Sequence, residues 1–225
     1  MSKKTSLIAG STGFLGSKIL NYLHKEDQKI YCLSRRENEI NSVNIEDIII
    51  DFDAINNLSL PKIDHVYLCL GYELRAWELI SMPERKKGPF YKVDYEYTLN
   101  IAKKAEEAGA TSVSLVSAVG ANKNSESFYL KTKGDLEEEI KKLKFETINI
   151  FQPGHLAGRI NWQKKKSDPR LDVFAFEIGS LFLDPFLVSR LKKFRSINAN
   201  KLANFIVKST INENLGINQY QYSDF

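Results

Sequence analysis

Ser117, Tyr129 and Lys133 fall in the stretch SLVSAVGANKNSESFYLKTKGDLEEEI and are residue types that can move a proton to or from an oxygen. Tyr129 and Lys133 are four apart, so a helix places them on one face. An ammonium beside a phenol favours phenolate and lowers the phenol pKa towards the range useful for general acid–base work. Ser117 directly follows the apolar run Ser112–Val116, where its hydroxyl can orient the same carbonyl or alcohol oxygen. A tyrosine and a lysine at this spacing also occur on ordinary exposed helix faces, so the trio gains meaning from what surrounds it.

A second cluster lies at the other end of the chain. In TSLIAGSTGFLGSKILNYL the glycines Gly10, Gly13 and Gly16 sit where the apolar run Leu7-Ile8-Ala9 gives way to a helical pattern through Phe14, Leu15, Ile19, Leu20 and Leu23. A strand feeding a helix through Gly10, Ser11, Thr12, Gly13, Phe14, Leu15 and Gly16 presents backbone N–H groups and the positive helix end to a phosphate. The spacing G-x-x-G-x-x-G is one residue longer in its first step than the usual dinucleotide fingerprint. A tight turn with close helix packing would use the same glycines.

The next strand ends in Ser34-Arg35-Arg36, where a fold preferring NAD places an acid on the ribose 2′-hydroxyl. Two guanidiniums and a hydroxyl suit a 2′-phosphate instead, because arginine donates a planar fork of hydrogen bonds. Asp51 can accept from an adenine amino group while Phe52 lines the base pocket; Asp53 reads equally well as a helix N-cap. Leu70-Gly71 ends a fourth strand and offers another close backbone approach.

The elements that must position these residues alternate. Strands are expected near Lys29–Leu33, Asp47–Ile50, His65–Leu70, Ser112–Val116 and Glu146–Phe151, with helices after Gly13, from about Phe90 to Ala108 and over Phe128–Leu143. Continuous apolar strands alternating with helices predict an α/β fold, a doubly wound parallel sheet of the Rossmann type. The rhythm breaks after Pro153-Gly154. About 155–225 therefore reads as a small C-terminal lid on a single domain spanning 1–225, with Asn198 capping a last helix. The segment Trp77–Phe90 reads as a loop at the sheet's carboxyl end, and the apolar segment 178–188 as a buried lid or subunit contact.

The whole composition bounds the function. The 225 residues carry a net charge of +4 from 32 basic and 28 acidic side chains, too balanced to suggest a nucleic-acid partner. No apolar stretch reaches membrane-spanning length, and Cys32 and Cys69 sit in apolar runs suited to a reducing compartment, so a cytoplasmic location is expected. His24, His65 and His155 show no ligand spacing, and no metal is expected.

GSTGFLG, DFD, YLCLG, VDYEYTLNIAKKAEEAGATSVSLVSAVGANKNSESFYLKTKG and FQPG, in that order, resemble the atypical short-chain dehydrogenase/reductase family, in its Tat-interacting protein oxidoreductase branch. The resemblance implies a cofactor loop at Gly10–Gly16, NADP bound by Arg35 and Arg36, adenine at Asp51, and the nicotinamide ribose bordered by Leu70 and Gly71. It implies Tyr129 as acid/base, Lys133 on the ribose, Ser117 polarising a small-molecule substrate, and Pro153, Gly154 and His155 lining the nicotinamide pocket. Asp94 stands where many dehydrogenases of the superfamily carry asparagine, and Gln152 where relatives often carry arginine. An oxidoreductase of a carbonyl or hydroxyl substrate is the implied activity; a cofactor-binding sensor without turnover is the alternative, and a homodimer or a protein partner fits either.

Overall fold

Side chains alternate across the first strand: Leu7 and Ala9 enter one apolar layer and Ile8 enters another. Such two-sided burial needs helices on both faces, and the computed structural model, which describes residues 4–158, 184, 187, 189–211 and 214–225, has them. The seven parallel strands are ordered β3 (Ile45–Ile49), β2 (Gln28–Ser34), β1 (Lys4–Ala9), β4 (His65–Leu68), β5 (Ser112–Val116), β6 (Thr147–Phe151) and β9 (Gly216–Tyr220). A separate pair, β7 (Leu156–Ala157) and β8 (Ile197–Asn198), follows the sixth strand.

On one face Leu7, Leu33, Val66, Leu68, Val113, Leu115 and Ile150 pack beneath α3 (Thr98–Glu107) and α4 (Phe128–Lys141). On the other, Ile8, Ile30, Tyr67 and Phe151 pack beneath α1 (Phe14–Leu23) and α5 (Ala199–Ile211). Order reverses between β1 and β4, because the chain winds outward to β3 and then returns. Ligands of open α/β sheets bind at the carboxyl ends of strands flanking such a switch.

The expected doubly wound sheet is therefore present, with three differences. The long helix starts before Phe90: α2 (Glu84–Tyr91) continues through a π-helical stretch, Lys92–Tyr97, into α3. Gly88-Pro89 reads as a break, yet Pro89 lies inside α2, which continues past it although its ring nitrogen cannot bond the Arg85 oxygen, and the other element in the expected loop is a short 3-10 turn at Ala76–Leu79. β9 has no counterpart in the expectation, because GINQY is an edge strand with a largely exposed side-chain row and no apolar run. Of the stretch expected as a lid, α5 and β9 belong to the main layers, with Asn198 Oδ1 accepting from Asn200 N at 2.9 Å at the start of α5. The segment 178–188 lies outside the described residues except for positions 184 and 187.

Candidate functional site

A cavity of about 520 Å³ opens at the carboxyl ends of the strands, within the size range of small-molecule sites. It is lined from the first strand's end by Gly10, Thr12, Gly13, Phe14 and Leu15, and the amino end of α1 opens onto it. Among the described residues that helix has no side-chain cap and no acid in its first turn, and the positive end of its dipole faces the cavity. Two of the glycines answer to the protein itself. Gly10 has φ +85°, and a Cβ there would lie 2.8 Å from the Cys69 carbonyl oxygen; a Cβ on Gly16 would lie 2.1 Å from the Gly10 oxygen. Gly13 is exposed, and its N–H donates to the Gly10 oxygen at 2.9 Å. Close backbone approach thus accounts for Gly10 and Gly16, while Gly13 lies at the exposed rim of the loop beside the cavity. Gly16 and the fully buried Ser11 support the loop from beneath and do not line the cavity.

At one end of the cavity stand Ser34, Arg35, Asp51 and Phe52. The Ser34 hydroxyl donates to the Arg36 carbonyl oxygen and fixes the turn, Arg35 faces the cavity, and the exposed Arg36 reaches back to the Thr12 carbonyl oxygen at 3.4 Å. The carboxylate that caps the following 3-10 helix is Asp51, which accepts from Asp53 N at 3.1 Å. Asp53, for which that role is the alternative reading, instead meets Lys92 at 2.6 Å and the Tyr97 hydroxyl at 2.5 Å.

At the other end Ser117, Tyr129 and Lys133 all line the cavity, joined by Leu70, Gly71, Pro153, Gly154 and His155. Ser127 caps α4, accepting from Leu130 N at 3.5 Å, and so sets the helix phase that points Tyr129 and Lys133 inward. Phe90 packs on the Tyr129 ring with centroids 5.5 Å apart. Gly154 is required by packing: a Cβ there would lie 2.7 Å from the Arg195 oxygen.

The electrostatics differ from the simple tyrosine–lysine picture. Lys133 Nζ lies 2.7 Å from Asp94 Oδ1, both groups being buried, while Asp94 Oδ2 accepts from Tyr72 N at 2.6 Å. Asp94 comes from the π-helical stretch, whose extra residue per turn aims it across at α4. Burial acts to lower the Lys133 pKa, but Asp94 and Tyr129 beside it prevail and the net shift is upward. For Tyr129 burial raises the pKa, Lys133 opposes it and Asp94 adds to it, so the phenol is shifted up and the expected lowering is overturned. The lysine's charge is largely answered by the carboxylate.

A group that the sequence reading passed over lies directly behind the serine. Ser117 Oγ donates to Glu137 Oε1 at 2.5 Å, and Gln152 Nε2 donates to both Glu137 oxygens at 2.9 and 3.1 Å. Gln221 Nε2 in turn donates to Gln152 Oε1 at 2.9 Å. Glu137 stands one turn after Lys133 in the acidic run DLEEEI, yet it is only 3% exposed. The available signal was spacing, since positions 133, 136, 137 and 140 form one helix stripe.

Residues 6–149 match the NAD dependent epimerase/dehydratase family. Protein FMP52, mitochondrial, of Meyerozyma guilliermondii is 33% identical over 156 residues, covering 68% of this chain and 65% of that protein. Protein HTATIP2 of Rattus norvegicus is 30% identical over 167 residues, covering 69% and 64%. The chain thus spans about two thirds of the length of these relatives. Among solved structures, the human epimerase family protein SDR39U1 (isoform2) with NADPH superposes with a TM-score of 0.65 at 16% identity, covering 96% of this chain and 74% of that one, a likeness of fold.

Proposed function

Because the chain belongs to the NAD dependent epimerase/dehydratase family, among the atypical short-chain dehydrogenases/reductases whose motifs it carries, we propose that it is an NADPH-dependent oxidoreductase acting on a carbonyl or hydroxyl carbon. The supporting observation is that one cavity joins an uncapped helix end, a strand end bearing Ser34 and Arg35, and the trio Ser117, Tyr129 and Lys133. Bound there, NADP(H) supplies hydride transfer. The loop Gly10–Gly16 holds the pyrophosphate, Arg35 and Arg36 the 2′-phosphate, and Asp51 and Phe52 the adenine. Lys133, Leu70 and Gly71 border the nicotinamide ribose, and Pro153, Gly154 and His155 its ring. Tyr129 exchanges the proton with a substrate oxygen that Ser117 orients. The human structural neighbour was solved with NADPH, which favours the same class of cofactor.

A second reading, a cofactor-binding sensor without turnover, draws on the Lys133–Asp94 pair, which leaves Tyr129 a weak acid. Titration with NADPH and NADH, followed by a screen of carbonyl and alcohol compounds at the nicotinamide absorbance, separates the readings. NADPH binds more tightly, and Arg35→Ala with Arg36→Ala lowers its affinity at least about tenfold, given about 1.5–3 kcal/mol for a hydrogen bond to a charged group. Equal affinities for the two dinucleotides reject the NADP assignment; tight binding with no turnover across the screen selects the sensor.

Among the described residues no helix is long and apolar enough to cross a membrane. A cytoplasmic location belongs to the proposal; the FMP52 relatives carry mitochondrial in their names, so cell fractionation decides between these compartments.

A further inference from the structure

The donors around Glu137 define what Ser117 can offer the cavity. The carboxylate receives three hydrogen bonds: one from Ser117 Oγ and two from the Gln152 amide, whose orientation is fixed by Gln221. Both carboxylate oxygens accept, which is the pattern of the ionised form. A serine hydroxyl has one proton, and here that proton points away from the cavity. The charged groups near the carboxylate are Lys133, Glu138 and Lys141 of α4, with Ser117 facing it from the end of β5 and Gln152 from the end of β6.

We propose that Glu137 is a positioning residue that holds the Ser117 proton inward, so that Ser117 presents lone pairs to the cavity and the site selects a ligand oxygen that carries its own proton, an alcohol over the matching ketone. This rests on the oxidoreductase reading and names its substrate class. A ketone oxygen brought to Ser117 would face acceptor to acceptor, whereas an alcohol donates to Ser117 while keeping lone pairs for Tyr129. Burial, only partly offset by the Gln152 and Ser117 hydrogen bonds, raises the Glu137 pKa. On protonation the carboxyl becomes a donor, the Ser117 proton turns outward, and a ketone is accepted. The alcohol preference is therefore present above the raised pKa and is lost as pH falls through it.

Two measurements test this. Carbon NMR of protein labelled at the glutamate carboxyls, with the resonance assigned through Glu137→Gln, follows the titration directly. Glu137 titrates above the usual carboxylate range, Ser117→Ala moves it further up by removing a donor, and Gln152→Arg moves it down by adding a charge. Affinities of secondary alcohols and their ketones, cyclohexanol and cyclohexanone among them, are then measured with a redox-inert tetrahydronicotinamide analogue of NADPH bound. The alcohols bind about tenfold more tightly at about pH 8, the gap closes at a pH below the Glu137 midpoint read by NMR, and it is absent in Glu137→Gln and Ser117→Ala. An ordinary Glu137 titration indifferent to Ser117→Ala, equal affinities at both pH values, or binding by neither member of any pair overturns the proposal. Failure of the analogue to bind counts against the oxidoreductase reading itself, while the NMR result still decides the Ser117–Glu137 coupling.

Discussion

A methyl group added at Gly16 would lie 2.1 Å from the Gly10 carbonyl oxygen, and one added at Gly13 would lie 3.1 Å from the same atom. Gly16→Ala must therefore push α1 off the first strand, at an overpacking cost of about 1–3 kcal/mol, with NADPH affinity falling as the loop deforms. Gly13→Ala needs a shift of only a few tenths of an ångström and leaves urea unfolding nearly unchanged. Denaturation and dinucleotide titration of the two variants distinguish the roles, and a Gly16→Ala protein as stable as the parent refutes the packing assignment. Asp94 gives a second expectation. Asp94→Asn retains an acceptor for Tyr72 N but removes the charge that answers Lys133 and raises Tyr129, so phenolate appears at lower pH than in the parent, as read by ultraviolet titration against Tyr129→Phe. At this scale the sequence revealed residue types and spacings: Ser117, Tyr129 and Lys133 do share one cavity. It could not reveal that Asp94 would pair with Lys133, because that depends on a π-helical stretch with no local residue signal, whereas the burial of Glu137 was legible only through its place on the stripe of positions 133, 136, 137 and 140.

Among the elements, the central strands were the most legible, since β1, β5 and β6 are short apolar runs ended by polar or glycine residues. β4 carries a buried histidine. His65 is buried, its ring nitrogens 2.8 and 3.1 Å from the hydroxyls of Ser112 and Ser114 on β5, and burial with help from Lys4 depresses its pKa from 6.5 to about 3. The unfolded chain therefore binds a proton that the folded chain refuses between those values. The stabilising share of His65 is complete above its unfolded pKa and is lost as pH falls towards its folded one, at up to about 1.4 kcal/mol per pH unit. Thermal unfolding from about pH 7 to about pH 4.5 should fall more steeply in the parent than in His65→Gln; parallel curves would remove the histidine from the acid response. The least legible elements were β9, exposed and polar, and α2, whose Gly88-Pro89 suggests a loop but lies inside a helix that continues through Tyr97 into α3.

Across the whole molecule, the winding that sets the cavity between β1 and β4 also places β9 beside β6. Aromatic side chains fasten that edge: Phe151 stacks on Tyr220 at 5.0 Å, and Phe205 meets Tyr220 and Phe225 at 5.3 and 5.5 Å. Gln221 follows immediately and anchors Gln152, so the serine's hydrogen-bond direction is secured by a residue more than a hundred positions later in the chain. During synthesis on the ribosome this order has a consequence. The glycine loop, Tyr129 and Lys133 emerge long before β9, so a growing chain can assemble six strands and the glycine loop while β6 is still an open edge and Gln152 lacks its anchor. Chains arrested just short of β9 should be cut readily by protease, and lengthening the tether until Gln221 clears the exit tunnel should confer resistance in one step. Ordering of the Ser117–Glu137–Gln152 network thus waits on β9 and Gln221, which are translated after it.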